Sequence, residues 1–240
     1  MTKYDIKKHF LWGLRDAVPV ILGFIPVGIA FAIMARQAGF TVLRTCVMSL
    51  TVFAGASQMM AVGMYEQGAS IIAMIIATFI LNLRHIIMGT CIANRMDLKN
   101  SSLIMKLISF FGVTDEGFAI FTTAKREKCS VWYLFGLTVV MYSSWNIGTF
   151  IGAVASDLLP TVITASLGIS LYAMFIGLLV PNLKGNLRLF VLAVITGVCN
   201  CILNLFIAPS WALVVSTLVC AFVGVFFVDI KDESEDVADE

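Results

Sequence analysis

Charge is what this chain has least of. Asp, Glu, Lys and Arg make up 13% of its 240 residues, about half the share found in soluble domains, while apolar residues reach 60%. The 16 basic and 15 acidic side chains nearly balance, yet seven of the acids fall in residues 229–240. With that tail's one lysine and seven acids set aside, 15 basic residues stand against 8 acidic. They lie between long apolar runs, leaving no basic face for nucleic acid and no polar surface for a soluble enzyme. Five of the six cysteines lie in or at the ends of apolar runs, where they act as small hydrophobes rather than a disulfide framework. Cys199 and Cys201 would point about 200° apart on a helix with no histidine nearby, which argues against a metal site. No cofactor motif is evident, and a chain without a Walker A sequence does not itself hydrolyse ATP.

What is present is apolar length. Runs of about 18–25 residues occupy roughly residues 17–35, 45–64, 69–93, 107–124, 131–155, 158–180, 189–208 and 210–228. The expected fold is all-α: a polytopic integral membrane bundle of seven or eight transmembrane segments in one domain, residues 1–228, with an acidic cytoplasmic tail, residues 229–240. Because seven more runs follow the first, it reads as an uncleaved span rather than a signal peptide. Lys and Arg in the connections set the orientation. Eight crossings with a cytoplasmic N-terminus put ten of them inside and five outside. A re-entrant fourth segment with an external N-terminus puts eleven inside and four outside. Both arrangements leave the C-terminus in the cytoplasm. The second also runs segments one to three and five to seven in opposite senses, an inverted repeat. Residues 53–59 and 171–175 echo it with an aromatic–alanine pair each.

An ionisable side chain in hydrocarbon costs at least about 2.5–3.5 kcal/mol, so those inside the runs are informative. Arg84 and His85 follow Asn82 in segment three, roughly 20 Å into a core of about 30 Å. Asp115 and Glu116 sit midway along segment four. Arg84 is expected to pair with one acid, leaving the other a proton to exchange. The plainer alternatives are a fixed ion pair bracing the bundle, or a fourth segment lying at the interface with its acids in water. In segment two, Gly55-Ala56-Ser57-Gln58 interrupts the apolar pattern. Small residues there admit a close approach, and Ser57 and Gln58 add donors and acceptors, although Gly55 and Ala56 equally suit helix packing. Trp145-Asn146 sets an aromatic beside an amide, suited to a part-apolar substrate or to simple packing. Gly148 and Gly152 read as packing positions. Pro19, Gly23, Pro26 and Gly28 invite a kink or unwound stretch in segment one.

At these residues the sequence resembles the AzlC family, the large subunits of branched-chain amino-acid permeases and exporters. The matching stretches are Phe10-Leu11-Trp12-Gly13-Leu14-Arg15-Asp16 with Pro19 and Pro26, FAGASQMM at residues 53–60, Leu81-Asn82-Leu83-Arg84-His85, Thr114-Asp115-Glu116, and Trp145-Asn146-Ile147-Gly148-Thr149. The resemblance implies a secondary transporter that exports branched-chain and related hydrophobic amino acids across the bacterial cytoplasmic (inner) membrane, with a small four-helix AzlD-type partner.

The site residues are read from the chemistry of the substrate. A zwitterion needs a positive end for its carboxylate, an acceptor for its ammonium and an apolar hollow. Gly55, Ser57, Gln58, Asn82, Arg84, Trp145 and Asn146 are the candidates for binding it, and Asp115, Glu116 and His85 for coupling. Arg84 or the amides near Gly55 serve the carboxylate, and Asp115 or Glu116 the ammonium or a proton. A competing reading is an intramembrane hydrolase with Ser57 as nucleophile and His85 as base. Gly55-Ala56-Ser57 begins like a nucleophile elbow, but Met59 stands where its second glycine belongs. An ion channel or a structural membrane subunit is the third reading.

Overall fold

The computed structural model describes residues 3–96, 98, 101–156, 176, 180, 183, 187–207 and 209–227. They fall into two units, Met1–Met174 and Phe175–Glu240. Among the described residues the chain is helical, with no strand. Three helices of the first unit, α1 (Lys3–Gln37), α4 (Ile71–Arg95) and α7 (Val131–Ala155), are long and apolar enough to cross a membrane. The seven or eight crossings expected are not shown. Residues 157–175, with most of segment six and the second half of the expected repeat, and the tail from 228 onward lie outside the described residues.

α1 and α7 form the spine of the first unit and run parallel. Near their starts the His9 ring meets the Ser130 hydroxyl at 2.9 Å, and near their ends Arg36 Nε donates to the Ser156 hydroxyl at 3.1 Å. They approach closely because glycine stands where they touch. A methyl group at Gly28 would lie 2.8 Å from the Trp145 carbonyl oxygen, one at Gly148 2.5 Å from that of Ile25, and one at Gly152 2.6 Å from that of Ile29. Gly148 and Gly152 are thus packing positions, as their spacing suggests. α1 continues unbroken through Pro19 and Pro26, so the unwound stretch expected there is not found. Each proline only deprives the carbonyl four residues back of its donor.

The breaks occur instead in segments two and four. Segment two divides into α2 (Val42–Val52) and α3 (Gly55–Glu66). α2 descends along α7: Ser49 bonds Thr149 at 2.8 Å, the Leu50 carbonyl accepts from the Tyr142 hydroxyl at 2.8 Å, and the Phe53 ring meets that of Tyr142 at 5.0 Å. Phe53 then adopts a left-handed conformation with φ 41°, uncommon for a non-glycine residue, and its buried ring is held between Phe111 and Tyr142. α3 turns back to where α2 began, bringing the Tyr65 ring within 5.1 Å of Phe40. α4 then packs on α3 and runs antiparallel to α1 and α7, and Arg95 at its end lies beside the Cys129 thiol, just ahead of α7.

Segment four divides into α5 (Leu103–Phe111) and α6 (Asp115–Thr123). α5 climbs from Ser109, whose hydroxyl donates to the Val131 carbonyl at 3.4 Å, to Phe111, whose ring lies 6.3 Å from Tyr142. The chain reverses at Gly112, which is pressed so close to Thr138 that no β-carbon fits. α6 descends past Met141, opposite Gly117, to Phe121, 5.8 Å from the Tyr133 ring.

Half-helices of this size rise about 14–18 Å, half of a core about 30 Å thick. Both segments are therefore re-entrant hairpins, inserted from opposite ends of the unit with their tips meeting near its middle. A re-entrant fourth segment was one of the two arrangements the sequence left open, and a re-entrant second segment was in neither. Each hairpin follows one crossing helix, α2–α3 after α1 and α5–α6 after α4, so an inverted relation exists within α1 to α6. In the second unit, α8 (Leu187–Leu203) and α9 (Pro209–Phe227) pack antiparallel, with Asn200 Nδ2 donating to the Ser216 hydroxyl at 3.1 Å and Gly224 against Leu192.

Candidate functional site

The hairpin tips enclose a cavity of about 40 Å³. Phe53, Ala54, Gly55 and Ala56 line it from the first tip, and Thr114, Asp115 and Glu116 from the second. Arg84 and His85 of α4, Phe24 of α1 and Trp145 of α7 close the sides. The space holds a few waters and is far smaller than the roughly 300 Å³ at which small-molecule pockets begin. An amino acid fits only if the tips part.

Its electrostatics follow from the two helix starts. At α6 the Thr114 hydroxyl accepts the Gly117 amide at 3.2 Å, and Asp115 and Glu116 occupy the first turn, where the helix dipole favours negative charge. Arg84 Nη1 reaches Asp115 Oδ2 at 2.7 Å, with 33% and 28% of the two side chains exposed. Glu116 makes no ion pair among the described residues. At α3 the N-cap is Ala54, which has no side chain to cap with, and the first amide bonded back is that of Gln58, to the Ala54 carbonyl at 2.9 Å. The Trp145 indole presses on Gly55, and its Nε1 and Arg84 Nε are buried with no hydrogen-bond partner among the described residues.

Six of the ten residues singled out from sequence thus meet at one cavity: Gly55, Arg84, His85, Asp115, Glu116 and Trp145. The other four lie outside its lining. Ser57 donates to Asn82 Oδ1 at 2.5 Å, tying α3 to α4. Gln58 is fully buried with neither amide atom bonded. Asn146 donates to the Tyr142 carbonyl one turn back on its own helix, at 2.8 Å. His85 Nδ1 lies 3.2 Å from the Asn82 carbonyl, and among the described residues no bond joins Ser57 to His85 as the hydrolase reading requires.

Sequence reasoning missed Phe24, Phe53, Ala54 and Thr114. Thr114 carried a usable signal, a capping threonine followed at once by two acids, which marks a helix start inside an apolar run. Also unforeseen is an open basin of about 670 Å³ where the starts of α1 and α7 meet the end of α6. Arg15, Asp16, Lys125, Lys128 and Tyr133 are on its walls. Asp16 accepts from Lys128 Nζ at 3.0 Å and from the Tyr133 hydroxyl at 2.8 Å. α6 lines both spaces, the tip cavity with Asp115 and Glu116 and the basin with Ile120 and Thr123.

Residues 19–159 match the AzlC protein family, a stretch that contains both hairpins and every cavity residue. The chain is 37% identical over 180 residues to a membrane protein of Archaeoglobus fulgidus, covering 74% of this chain and 77% of that one. It is 30% identical over 194 residues to the inner membrane protein YgaZ of Escherichia coli, covering 78% and 79%. To the branched-chain amino acid transport protein AzlC of Bacillus subtilis it is 27% identical over 155 residues, covering 62% and 60%. No solved structure matches it. The chain belongs to the AzlC family, a transport-associated family of membrane proteins.

Proposed function

We propose that this chain is the large subunit of a secondary transporter that exports branched-chain or related hydrophobic amino acids by alternating access. The observation that carries the reading is the tip-to-tip cavity. It lies where two hairpins inserted from opposite ends meet, and it combines an uncapped helix start, an ion pair with a spare acid, and aromatic walls. Those are the three requirements of an apolar zwitterion, and broken helices at mid-depth are where secondary transporters hold their substrates. The Bacillus relative's name points to the same substrate class. Glu116, not engaged by Arg84, is the candidate proton carrier, and a small AzlD-type membrane subunit is the expected partner.

The hairpins also bear on orientation. Because they return the chain to the side it came from, Lys3, Lys7, Lys8, Arg15, Arg95, Lys106, Lys125, Arg126 and Lys128 belong to the end where α1 and α7 begin, and among the described residues of this unit Arg36 and Arg44 belong to the other. An excess of nine over two makes the first end cytoplasmic. The open basin then faces the cytoplasm, the side from which an exporter loads, and three further apolar runs after α7 return the C-terminus to the cytoplasm.

Counterflow of labelled leucine, isoleucine, valine and methionine into proteoliposomes holding the full chain with its small partner tests the reading. Exchange stimulated by unlabelled substrate inside the vesicle is the expected result. Absence of exchange for all four, with correctly inserted protein, would remove it.

A further inference from the structure

Resting on the transporter reading, the geometry points to the start of α3, rather than Arg84, as the seat of the substrate's carboxylate. Two independent features meet there. With Ala54 unable to cap α3, the amides of Gly55, Ala56 and Ser57 have no acceptor among the described residues, and they carry the positive end of the helix dipole. Against them lies the tip of the Trp145 indole, 3% exposed, with Cη2 2.6 Å and Cζ2 and Cζ3 each 3.1 Å from where a β-carbon on Gly55 would stand. Its Nε1 is buried without a partner. Gly55 and Trp145 line the same cavity, so the orphan indole donor and the uncapped helix start belong to one site.

Buried donors are seldom left unpaired, and a carboxylate is acceptor-only, with sites for several such bonds. The other hairpin shows the contrast. There Thr114 caps α6 and two acids already occupy its first turn, so that helix start is filled from within. Arg84 retains an unbonded Nε, but its charge is met by Asp115 at 2.7 Å, and a second carboxylate gains little beside it. The substrate's ammonium then falls to Glu116, and its branched side chain to Phe24 and Phe53.

The test is equilibrium binding of labelled L-leucine and labelled 4-methylpentanoate to the full chain in lipid, with L-leucinamide as competitor, for the wild type, Trp145→Phe and Ala54→Asp. In the wild type both acids bind, and leucinamide, which has lost the carboxylate, competes at least about tenfold more weakly than leucine. Trp145→Phe weakens both acids about tenfold, because a hydrogen bond to a charged group is lost. Ala54→Asp places a carboxylate of the protein's own on α3, abolishing binding of both acids while leaving the thermal unfolding temperature unchanged or higher.

Leucinamide competing as well as leucine would overturn the assignment, and so would wild-type leucine affinity in both variants. If 4-methylpentanoate binds and leucine does not, the carboxylate seat stands and the amino-acid reading falls. If leucine binds but neither the variants nor the analogue matter, the transporter reading stands and the seat falls. Binding of neither acid overturns both.

Discussion

Arg84 pairs with Asp115, and Glu116 makes no ion pair among the described residues, which gives two adjacent acids different tasks. Asp115 is the bracing partner. Removing Arg84 strands it at mid-depth, and since both side chains are about one-third exposed the coupling should be about 1–2 kcal/mol, below that of a fully buried pair. The check is a double-mutant cycle on thermal unfolding of Arg84→Ala, Asp115→Ala and the double variant. The double variant should unfold at a higher temperature than the additive expectation, and strict additivity would deny the pairing. Glu116 is the acid expected to exchange a proton. Export measured against pH should therefore flatten in Glu116→Gln with protein levels retained, whereas Asp115→Asn should mainly lower the amount of folded protein. An unchanged pH profile in Glu116→Gln would reject coupling through this residue. The charged members of the site were legible in the sequence because nothing else in the apolar runs carries charge. Which acid Arg84 takes was not, because that depends on where α6 begins. Ser57 and Asn82 were marked as polar, but only the fold reveals that they bond each other.

At the scale of elements, glycine decides how closely α1 and α7 approach. A β-carbon at Gly148 would lie 2.5 Å from the Ile25 carbonyl oxygen, whereas one at Gly23 meets nothing within 4 Å. Gly148→Leu should force the helices apart, at a cost of at least about 1–3 kcal/mol. Gly23→Ala should be neutral or stabilising by a few tenths to about 1 kcal/mol through lower backbone entropy in the unfolded chain. Fluorescence-detected size-exclusion after mild heating separates the two, and equal losses would mean that the seam does not hold the spine together. The boundaries of α7 could be read almost to the residue, because Ser130 caps it and apolar residues fill it. Segment two was read as a crossing, and segment four as either a crossing or a re-entrant stretch, because composition does not distinguish a helix of about 20 residues from two halves folded back on each other. The reversal at Phe53 rests on ring packing with Phe111 and Tyr142, residues distant in sequence, and leaves no local mark.

For the whole molecule, the opposed hairpins make a topological prediction that neither charge-based arrangement made. Single cysteines at Ala38 and Gln67 should be labelled from one side of the membrane, and those at Ser102 and Lys125 from the other. Opposite labelling of positions 38 and 67 would turn segment two into a crossing and dissolve the shared cavity. The most direct measurement targets the cavity itself: reaction of Ala54→Cys, with the six native cysteines replaced, toward a small water-soluble thiol reagent in vesicles, with and without leucine. If the tips form the substrate site of an alternating-access transporter, the thiol reacts as the hairpins open and leucine protects it in proportion to its occupancy. A thiol inert from both sides, or one that reacts at the same rate at every leucine concentration, would contradict the account.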